Sequence, residues 1–104
     1  MKRGEVWWAN LNPPIGRRPV LILSRDTLPA NRGEITVAFL TTTVRNLPIE
    51  VLLSTADGVP RNCVVNLDSI NTVHKSALIR LICTISAAKM SDVKKAIIVA
   101  LDLQ

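Results

Sequence analysis

One arginine in this sequence stands where its side chain could act on a phosphate. Arg18 follows a turn-forming stretch rich in proline and glycine, directly precedes an apolar run, and has Pro19 as its next neighbour. A following proline biases the backbone toward an extended conformation, so the guanidinium is aimed outward in a fixed direction. A guanidinium held in this way can grip a phosphate through two hydrogen bonds and stabilise charge that develops there. The plainer alternative is a solvated loop arginine.

Hydroxyl and acidic side chains follow two later apolar segments. Thr41, Thr42 and Thr43 end one of them, and their hydroxyls can donate to phosphoryl oxygens, although threonine is also simply a good strand residue. Asp68 follows the second segment, where it could act as a base toward a ribose 2′-hydroxyl or cap a turn. At these positions the sequence leaves both alternatives open.

Other familiar enzyme chemistries find no support in the sequence. The single histidine, His74, lies among polar residues and is expected to be exposed in a loop, so a Ser-His-Asp triad lacks its base. No shielded carboxylate pair and no phosphate-binding glycine loop is present. Cys63 and Cys83 sit inside apolar runs without His or Cys neighbours at ligand spacing, so we expect inert core cysteines, no metal site and no cofactor.

The charge of the chain indicates an anionic partner. The 104 residues carry a formal net charge of +5, and residues 1–45 hold seven basic against three acidic side chains. Such a basic half suits nucleic acid or an acidic peptide, although any soluble protein of high isoelectric point gives the same count. Aromatic residues make up only 3% of the chain, so an RNA site is expected to lack an aromatic stacking platform and to rely on backbone groups and arginines.

The hydrophobic pattern predicts one small, mainly β domain over residues 1–104 that positions these side chains. The hydrophobic fraction of 48% is ample for a single core. Strands are predicted at 6–9, 20–23, 35–40, 49–53, 63–67 and 78–85, with a short further segment at 70–73 and a turn at 57–60.

Strand 20–23 lacks polar alternation and is expected to be central and buried, with Pro19 at its start. Ser86 predicts the N-cap of a helix that extends to about Leu101. Its apolar face is predicted to consist of Met90, Val93, Ile97 and Leu101. Short strands closed by one helix favour a small barrel or sandwich.

Taken together, these segments resemble the MazF/PemK/Kid toxins of bacterial toxin–antitoxin systems. The resemblance rests on residues 2–7 (KRGEVW), 18–24 (RPVLILS), 37–43 (VAFLTTT), 48–54 (PIEVLLS) and 64–72 (VVNLDSINT), in the family's order and spacing. It implies an SH3-like small β-barrel of the MazF/PemK/CcdB type with a C-terminal helix, forming a homodimer. The implied activity is metal-independent, sequence-selective cleavage of single-stranded RNA. In that reaction the 2′-hydroxyl attacks the adjacent phosphate and leaves a 2′,3′-cyclic phosphate and a 5′-hydroxyl.

The resemblance also assigns roles to individual residues. Arg18 matches the arginine expected to stabilise the phosphorane or donate a proton, and Thr41 matches the threonine expected to hold the scissile phosphate. Asp68 matches an acidic position that some members use, which makes it the third catalytic candidate. The expected RNA contacts are Arg17, Arg25, Thr42, Thr43 and Asn66.

Two departures from the family pattern limit what the resemblance transfers. The loop at 12–17 is shorter than the Gly-x-Glu-Gln-x-Gly type insert of typical members, which contributes recognition contacts. Base preference therefore does not transfer, and Arg17 is expected to substitute for part of that loop. Asn66 stands where at least one branch of the family has an arginine, which leaves more of the charge stabilisation to Arg18.

The implied role is a growth-inhibiting ribonuclease toxin neutralised by an acidic, partly disordered antitoxin. Two alternatives remain: a gyrase poison of the related CcdB type, and a barrel that binds RNA or protein without cutting. No signal peptide is expected, because the N-terminus leads directly into the first strand. The longest apolar stretch, 96–101, is too short to cross a bilayer, so a cytoplasmic location without membrane attachment is expected.

Overall fold

The computed structural model describes residues 1–103 of the chain. It contains six strands and a C-terminal helix, namely β1 (Glu5–Asn10), β2 (Arg17–Ile22), β3 (Glu34–Thr41), β4 (Glu50–Leu53), β5 (Cys63–His74), β6 (Leu78–Thr84) and α1 (Ala87–Leu101). Short 3-10 turns, Thr55–Asp57 and Lys75–Ala77, precede β5 and β6. The prediction of a mainly β chain with a C-terminal helix is confirmed.

The strands form one antiparallel sheet in the order β4-β5-β3-β2-β1-β6. The sheet curls, so that Cys83 of β6, at one end of this order, packs against Gly58 in the segment that leads into β5. Strands β2 and β3 are central, and Val20, Leu21 and Ile22 are all fully buried. Their unbroken apolar sequence follows from this position, because both faces of the strand are covered.

A hydrophobic cluster lies on each face of the central strands. Successive strand residues point to opposite faces, so Leu21 and Leu40 join the cluster that α1 covers, whereas Val20 and Phe39 join the other. The α1-side cluster contains no aromatic residue and is built from Val, Leu, Ile, Ala and Cys. Small and medium-sized apolar side chains therefore fill the interior between sheet and helix.

Helix α1 begins as predicted, because the hydroxyl of Ser86 accepts a hydrogen bond from the Lys89 amide at 3.1 Å. The predicted apolar face is wrong at its end, since Leu101 is 54% exposed. The buried face continues instead from Ile97 to Ala100, three residues further along the helix. Within residues 1–103, no helix combines the length and the apolar character needed to cross a membrane.

The predicted fifth strand and the short segment after it are one continuous strand, β5. The register with β3 shifts between two neighbouring pairs, Ala38 with Ile70 and Phe39 with Asn66. The extra residues 67–69 form a bulge, and the Asn66 side-chain oxygen accepts the Asp68 amide hydrogen at 2.9 Å inside it. This bulge interrupts the apolar pattern, which explains why the sequence predicts two segments.

Strand β2 begins at Arg17, three residues before its predicted start. Pro19 therefore lies inside the strand, where it pairs with Trp8 of β1. The ladder to β3 begins only at Val20, so Pro19 lies beyond the part of β2 that has a neighbour on both sides. A proline is tolerated in a strand at such a position, because a missing N–H costs little where no ladder bond is made.

Candidate active site

A cleft opens where β2 begins and β3 ends. The last pair of the β2–β3 ladder joins Val20 to Phe39, and an extension of that register would place Arg18 opposite Thr41. The extension is not made, and Pro19 has no amide hydrogen to support it. The two strands diverge instead around a cleft of about 310 Å³, lined by Arg18 and Thr41. Because the strands diverge, Arg18 and Thr41 do not pair across the sheet but line two walls of one site, which we call the Arg18 cleft.

Arg18 is a half-buried, unneutralised cation in this cleft. Its guanidinium carbon lies 5.8 Å from the centroid of the Phe39 ring, which holds the side chain against the sheet. Within residues 1–103, the single ion pair joins the Met1 amino group to Glu5 at 4.0 Å, so no carboxylate of these residues pairs with Arg18. A partly desolvated guanidinium with free donors can bind a phosphate strongly and stabilise additional negative charge on it.

Thr41 offers a hydroxyl that is oriented by its own backbone. Its oxygen accepts the amide hydrogen of Thr43 at 3.2 Å, which occupies one lone pair and leaves the hydroxyl hydrogen to donate elsewhere. Thr41 and Thr42 both line the cleft, whereas Thr43 does not. Thr41 and Thr42 therefore face the cleft, and the backbone amide of Thr43 holds the Thr41 hydroxyl in place.

A third wall, formed by Val59, Pro60 and Arg61, closes the cleft from the segment before β5. Gly58 sets its direction, with a φ of +105° that a side chain would strain. A Cβ at this position would lie 2.7 Å from the Cβ of Cys83, so the segment packs directly against β6. Arg61 is a site residue that the sequence reasoning missed; its one sequence signal is the predicted turn at 57–60 that directly precedes it, much as a turn-forming stretch precedes Arg18.

The expectation that the site lacks an aromatic side chain is wrong. Trp8 lines the cleft, and the Arg17 guanidinium carbon lies 4.7 Å from the centroid of its ring. Neighbouring residues of a strand face opposite sides, so Trp7 packs on the second core cluster while Trp8 reaches the cleft. Arg17, which is predicted to contact RNA, lines the cleft and is stacked on an aromatic face that RNA bases also favour.

Four predicted site residues lie outside the lining of the Arg18 cleft, namely Arg25, Thr43, Asn66 and Asp68. Asp68 is exposed at the β5 bulge, and the Asn66 side chain is engaged in stabilising that bulge. Arg25 lines a different depression at the far end of β2. His74 is exposed, as expected, although it ends β5 rather than lying in a loop. The structure therefore brings Arg17, Arg18, Thr41 and Thr42 together and leaves the roles of the other four as predictions.

Cys63 forms part of the cleft lining but is not an activated thiol. Burial raises the pKa of Cys63 above its ordinary value, and the neighbouring Cys83 and Asp57 act in the same direction. A thiol with a raised pKa is a poor nucleophile at neutral pH. Within residues 1–103, no group of three His, Cys, Asp or Glu residues is placed to hold a metal ion.

A family model described as "PemK-like, MazF-like toxin of type II toxin-antitoxin system" matches residues 2–101 of the chain. The chain belongs to this family. A probable endoribonuclease MazF5 of Mycobacterium tuberculosis is 41% identical over 101 residues, which cover 96% of this chain and 92% of that protein. An endoribonuclease MazF9 of the same species is 33% identical over 115 residues, covering 99% of this chain and 98% of that protein.

Solved structures of MazF toxins share the fold. The Mycobacterium tuberculosis toxin MazF-mt6 superposes with a TM-score of 0.88 at 34% identity, covering 96% of this chain and 98% of that one. A mycobacterial endoribonuclease in complex with its cognate antitoxin gives a TM-score of 0.89 at 28% identity, covering 100% and 97% of the two chains. The expected MazF/PemK-type barrel is therefore confirmed, and the Arg18 cleft belongs to a member of that toxin family.

Proposed function

We propose that this chain is an endoribonuclease toxin that cleaves single-stranded RNA in the Arg18 cleft. The observation that carries the proposal is the apposition of Arg18 and Thr41 across the diverging β2 and β3 strands. Arginines and hydroxyls are the groups that bind phosphate, and Trp8 adds an aromatic surface for a base. The MazF relatives, which their names describe as endoribonucleases, support the same activity.

The reaction we propose is a transesterification within the RNA. The ribose 2′-oxygen forms a bond to the adjacent phosphorus and loses its proton, while the bond from phosphorus to the 5′-oxygen breaks and that oxygen gains a proton. The products are a 2′,3′-cyclic phosphate and a 5′-hydroxyl. We propose that no metal is needed, because the nucleophile belongs to the substrate and Arg18 can stabilise the charge that develops on the phosphorane.

Arg18 and Thr41 divide the work in this proposal. The Arg18 guanidinium donates to the non-bridging oxygens, where charge grows, and stands as the candidate donor toward the leaving 5′-oxygen. The free hydroxyl hydrogen of Thr41 donates to the same phosphate and fixes it against the cleft wall. Arg17, Thr42 and Arg61 provide further contacts to the RNA on either side. Asp68, outside the lining, remains a sequence-based candidate for the base.

The sequence preference of cleavage does not follow from the family. None of the residues 11–16, which join β1 to β2, lines the cleft, because this loop is folded back by hydrogen bonds between Leu11 and Gly16 and between Asn12 and Ile15. Recognition contacts that a longer insert would supply are left to Trp8, Arg17 and Arg61 on this chain. We therefore propose that cleavage is selective for RNA sequence, and we do not assign the RNA sequence that is cut.

The biological setting we propose is a toxin–antitoxin pair that acts on cellular RNA in the cytoplasm. The related mycobacterial endoribonuclease is solved in complex with its cognate antitoxin, and the net charge of +5 favours an acidic antitoxin here as well. A homodimer is the assembly that the family resemblance implies. Sedimentation of the purified chain checks the dimer independently of its activity.

Incubation of the purified protein with a long RNA in the presence of EDTA tests the proposed reaction. We expect cleavage to persist, with 5′-hydroxyl ends that polynucleotide kinase labels directly and 3′ ends that require removal of a cyclic phosphate. A parallel DNA supercoiling assay with gyrase is expected to show no inhibition. Intact RNA together with inhibited gyrase would instead support the CcdB-type alternative, and no effect in either assay would support a silent binding barrel.

A further inference from the structure

A second depression rich in arginine lies where β2 ends and β3 begins, at the opposite end of the strand pair from the Arg18 cleft. Arg3, Arg25 and Arg32 line it, together with a single carboxylate, Glu34, and its volume is about 340 Å³. This depression, the arginine pocket, carries no ion pair among residues 1–103, since the one salt bridge joins Met1 and Glu5. Its guanidinium charges are therefore open to an anionic partner.

The arginine pocket is built by the loop between β2 and β3 together with the N-terminal segment. The Arg3 side chain donates from Nε to the Leu23 carbonyl at 2.9 Å, and the Arg3 amide donates to the Asp26 carboxylate at 2.8 Å. The Ser24 hydroxyl oxygen accepts the Thr36 amide hydrogen at 2.8 Å, which ties the loop to β3. The wall of the pocket is thereby fixed, and the side chains of Arg25 and Arg32 are exposed on it.

An apolar groove continues from this pocket along α1. Met90, Ile97, Ile98 and Leu103 line this helix groove, whose volume is about 560 Å³, and Arg3 and Leu23 line both depressions. Leu103 is 62% exposed, and Lys94 adds a cation to the groove. A ligand that follows the surface from one depression to the other therefore meets guanidiniums first and aliphatic side chains next.

The chemistry of this surface differs from that of the Arg18 cleft in a way that selects the partner. No aromatic side chain lines the arginine pocket or the helix groove, so neither offers the stacking surface that single-stranded RNA favours. The aliphatic helix groove next to the unpaired guanidiniums of the arginine pocket matches a polypeptide that carries both carboxylates and aliphatic side chains.

We propose that the arginine pocket and the helix groove together form a docking surface for an acidic peptide segment with aliphatic anchors. Its carboxylates pair with Arg25 and Arg32, and its aliphatic side chains fill the groove beside Ile98. The surface lies apart from the Arg18 cleft, so the peptide binds without needing the catalytic residues. In naming where an antitoxin segment docks, the proposal rests on the proposed function.

A labelled dodecapeptide of repeating Leu-Glu-Glu units tests this surface by fluorescence anisotropy. We expect the double variant Arg25→Ser/Arg32→Ser to bind the peptide about tenfold more weakly and with a smaller salt dependence, because two exposed charge pairs are lost. The matched control is Arg80→Ser/Lys95→Ser, which removes two exposed charges elsewhere and is expected to bind within about twofold of the parent. Ile98→Ser, or a peptide with serine in place of leucine, is expected to weaken binding about fivefold.

Several outcomes would overturn the proposal. Equal peptide affinity in the two double variants would remove the arginine pocket from binding. If a 2′-O-methyl RNA competes with the peptide on the parent protein but not on Arg25→Ser/Arg32→Ser, the pocket binds RNA. If that variant sediments as a smaller assembly than the parent, the pocket binds a second copy of the chain. RNA cleavage by Arg32→Ser, which changes no residue that is expected to contact RNA, is measured alongside and is expected to equal that of the parent, so a failure of the proposed ribonuclease activity is seen separately.

Discussion

Two sets of three arginines lie at opposite ends of the β2–β3 pair, and only one of them is built for chemistry. Arg17, Arg18 and Arg61 line the cleft where the strands diverge, and Arg3, Arg25 and Arg32 line the pocket at the other end. The number of cations is the same in both. The difference lies in what holds each arginine and in which neutral side chains stand beside it.

In the Arg18 cleft, two of the three cations are held by a strand and by rings. Arg18 is the second residue of β2 and packs over Phe39, and Arg17 is stacked on Trp8. A group held in place and partly removed from water stabilises a developing charge without the cost of reorganising. In the arginine pocket, Arg25 and Arg32 project from an exposed loop, and both aliphatic and hydroxyl side chains line the pocket. Local charge thus indicates an anionic partner, whereas a guanidinium held in place against a ring indicates catalysis.

Arg18→Ala is expected to cause the largest difference between the two regions. Loss of one preorganised donor to a transition-state oxyanion lowers rates by about a hundredfold to a thousandfold, so cleavage of a fluorogenic RNA should fall by that factor. Arg32→Ala in the arginine pocket is the matched control and should cleave within about twofold of the parent. Thermal unfolding of Arg18→Ala should change by only a few degrees, because a single contact with Phe39 is lost. Near-normal cleavage by Arg18→Ala would erase the contrast between the two regions.

Thr41→Val separates the hydroxyl in the cleft from the threonine that supports it. The valine keeps the shape of the side chain but cannot donate to the phosphate, and loss of one hydrogen bond to a charged group lowers kcat/KM by about tenfold or more. Thr43→Val retains the backbone amide that contacts Thr41 and should cleave at close to the parent rate. Equal rates for the two variants would remove Thr41 from the phosphate site.

The parts of the fold that sequence predicts are those fixed by local chemistry. The N-cap at Ser86 depends on residues close in the chain and is confirmed. The buried strand predicted at 20–23 is confirmed for Val20–Ile22, whereas Leu23 follows the strand and is half-buried. The residue at which β2 begins, and the fact that β5 is one continuous strand, depend on pairing partners that are distant in sequence. Arg17 joins a strand because Asn10 of β1 pairs with it, and the β5 bulge is stabilised by the Asn66 side chain.

The residues of the candidate site likewise fall into those that a local sequence pattern predicts and those that depend on contacts distant in sequence. Arg18 and Thr41 stand at strand ends, which a sequence can locate, and the register of two central strands then brings them together. Arg61 reaches the cleft only because Gly58 packs against Cys83, a contact between residues far apart in the chain. Trp8 differs from Trp7 only in the face of β1 on which it lies, and one face leads to the core and the other to the cleft. No local sequence pattern indicates that Arg61 or Trp8 reaches the cleft.

Gly58→Ala tests whether the third wall of the cleft depends on this packing. The substitution places a Cβ 2.7 Å from that of Cys83 at a φ of +105°, so we expect the free energy of unfolding to fall by about 2 kcal/mol. The melting temperature should fall by about 10 °C for a domain of this size, and cleavage should fall several-fold because Arg61 is displaced. Gly33→Ala, near the arginine pocket, has open space at its Cβ and should leave both quantities unchanged. A normal melting temperature for Gly58→Ala would mean that the wall adjusts freely.

Asp68→Asn is expected to have the smallest effect. Its result decides whether the family resemblance or the position of Asp68 outside the cleft lining predicts its role correctly. The family resemblance makes Asp68 a catalytic candidate, but its side chain is exposed at the β5 bulge and outside the lining of the Arg18 cleft. Asparagine preserves size and keeps the backbone amide that donates to Asn66, so folding should be unaffected. We expect kcat/KM within about threefold of the parent, equal to that of Asp92→Asn on the exposed face of α1, which makes the same change of charge. A loss approaching that of Arg18→Ala, with a changed pH profile, would make Asp68 the base despite its position, and would require the β5 bulge to approach the cleft when RNA binds.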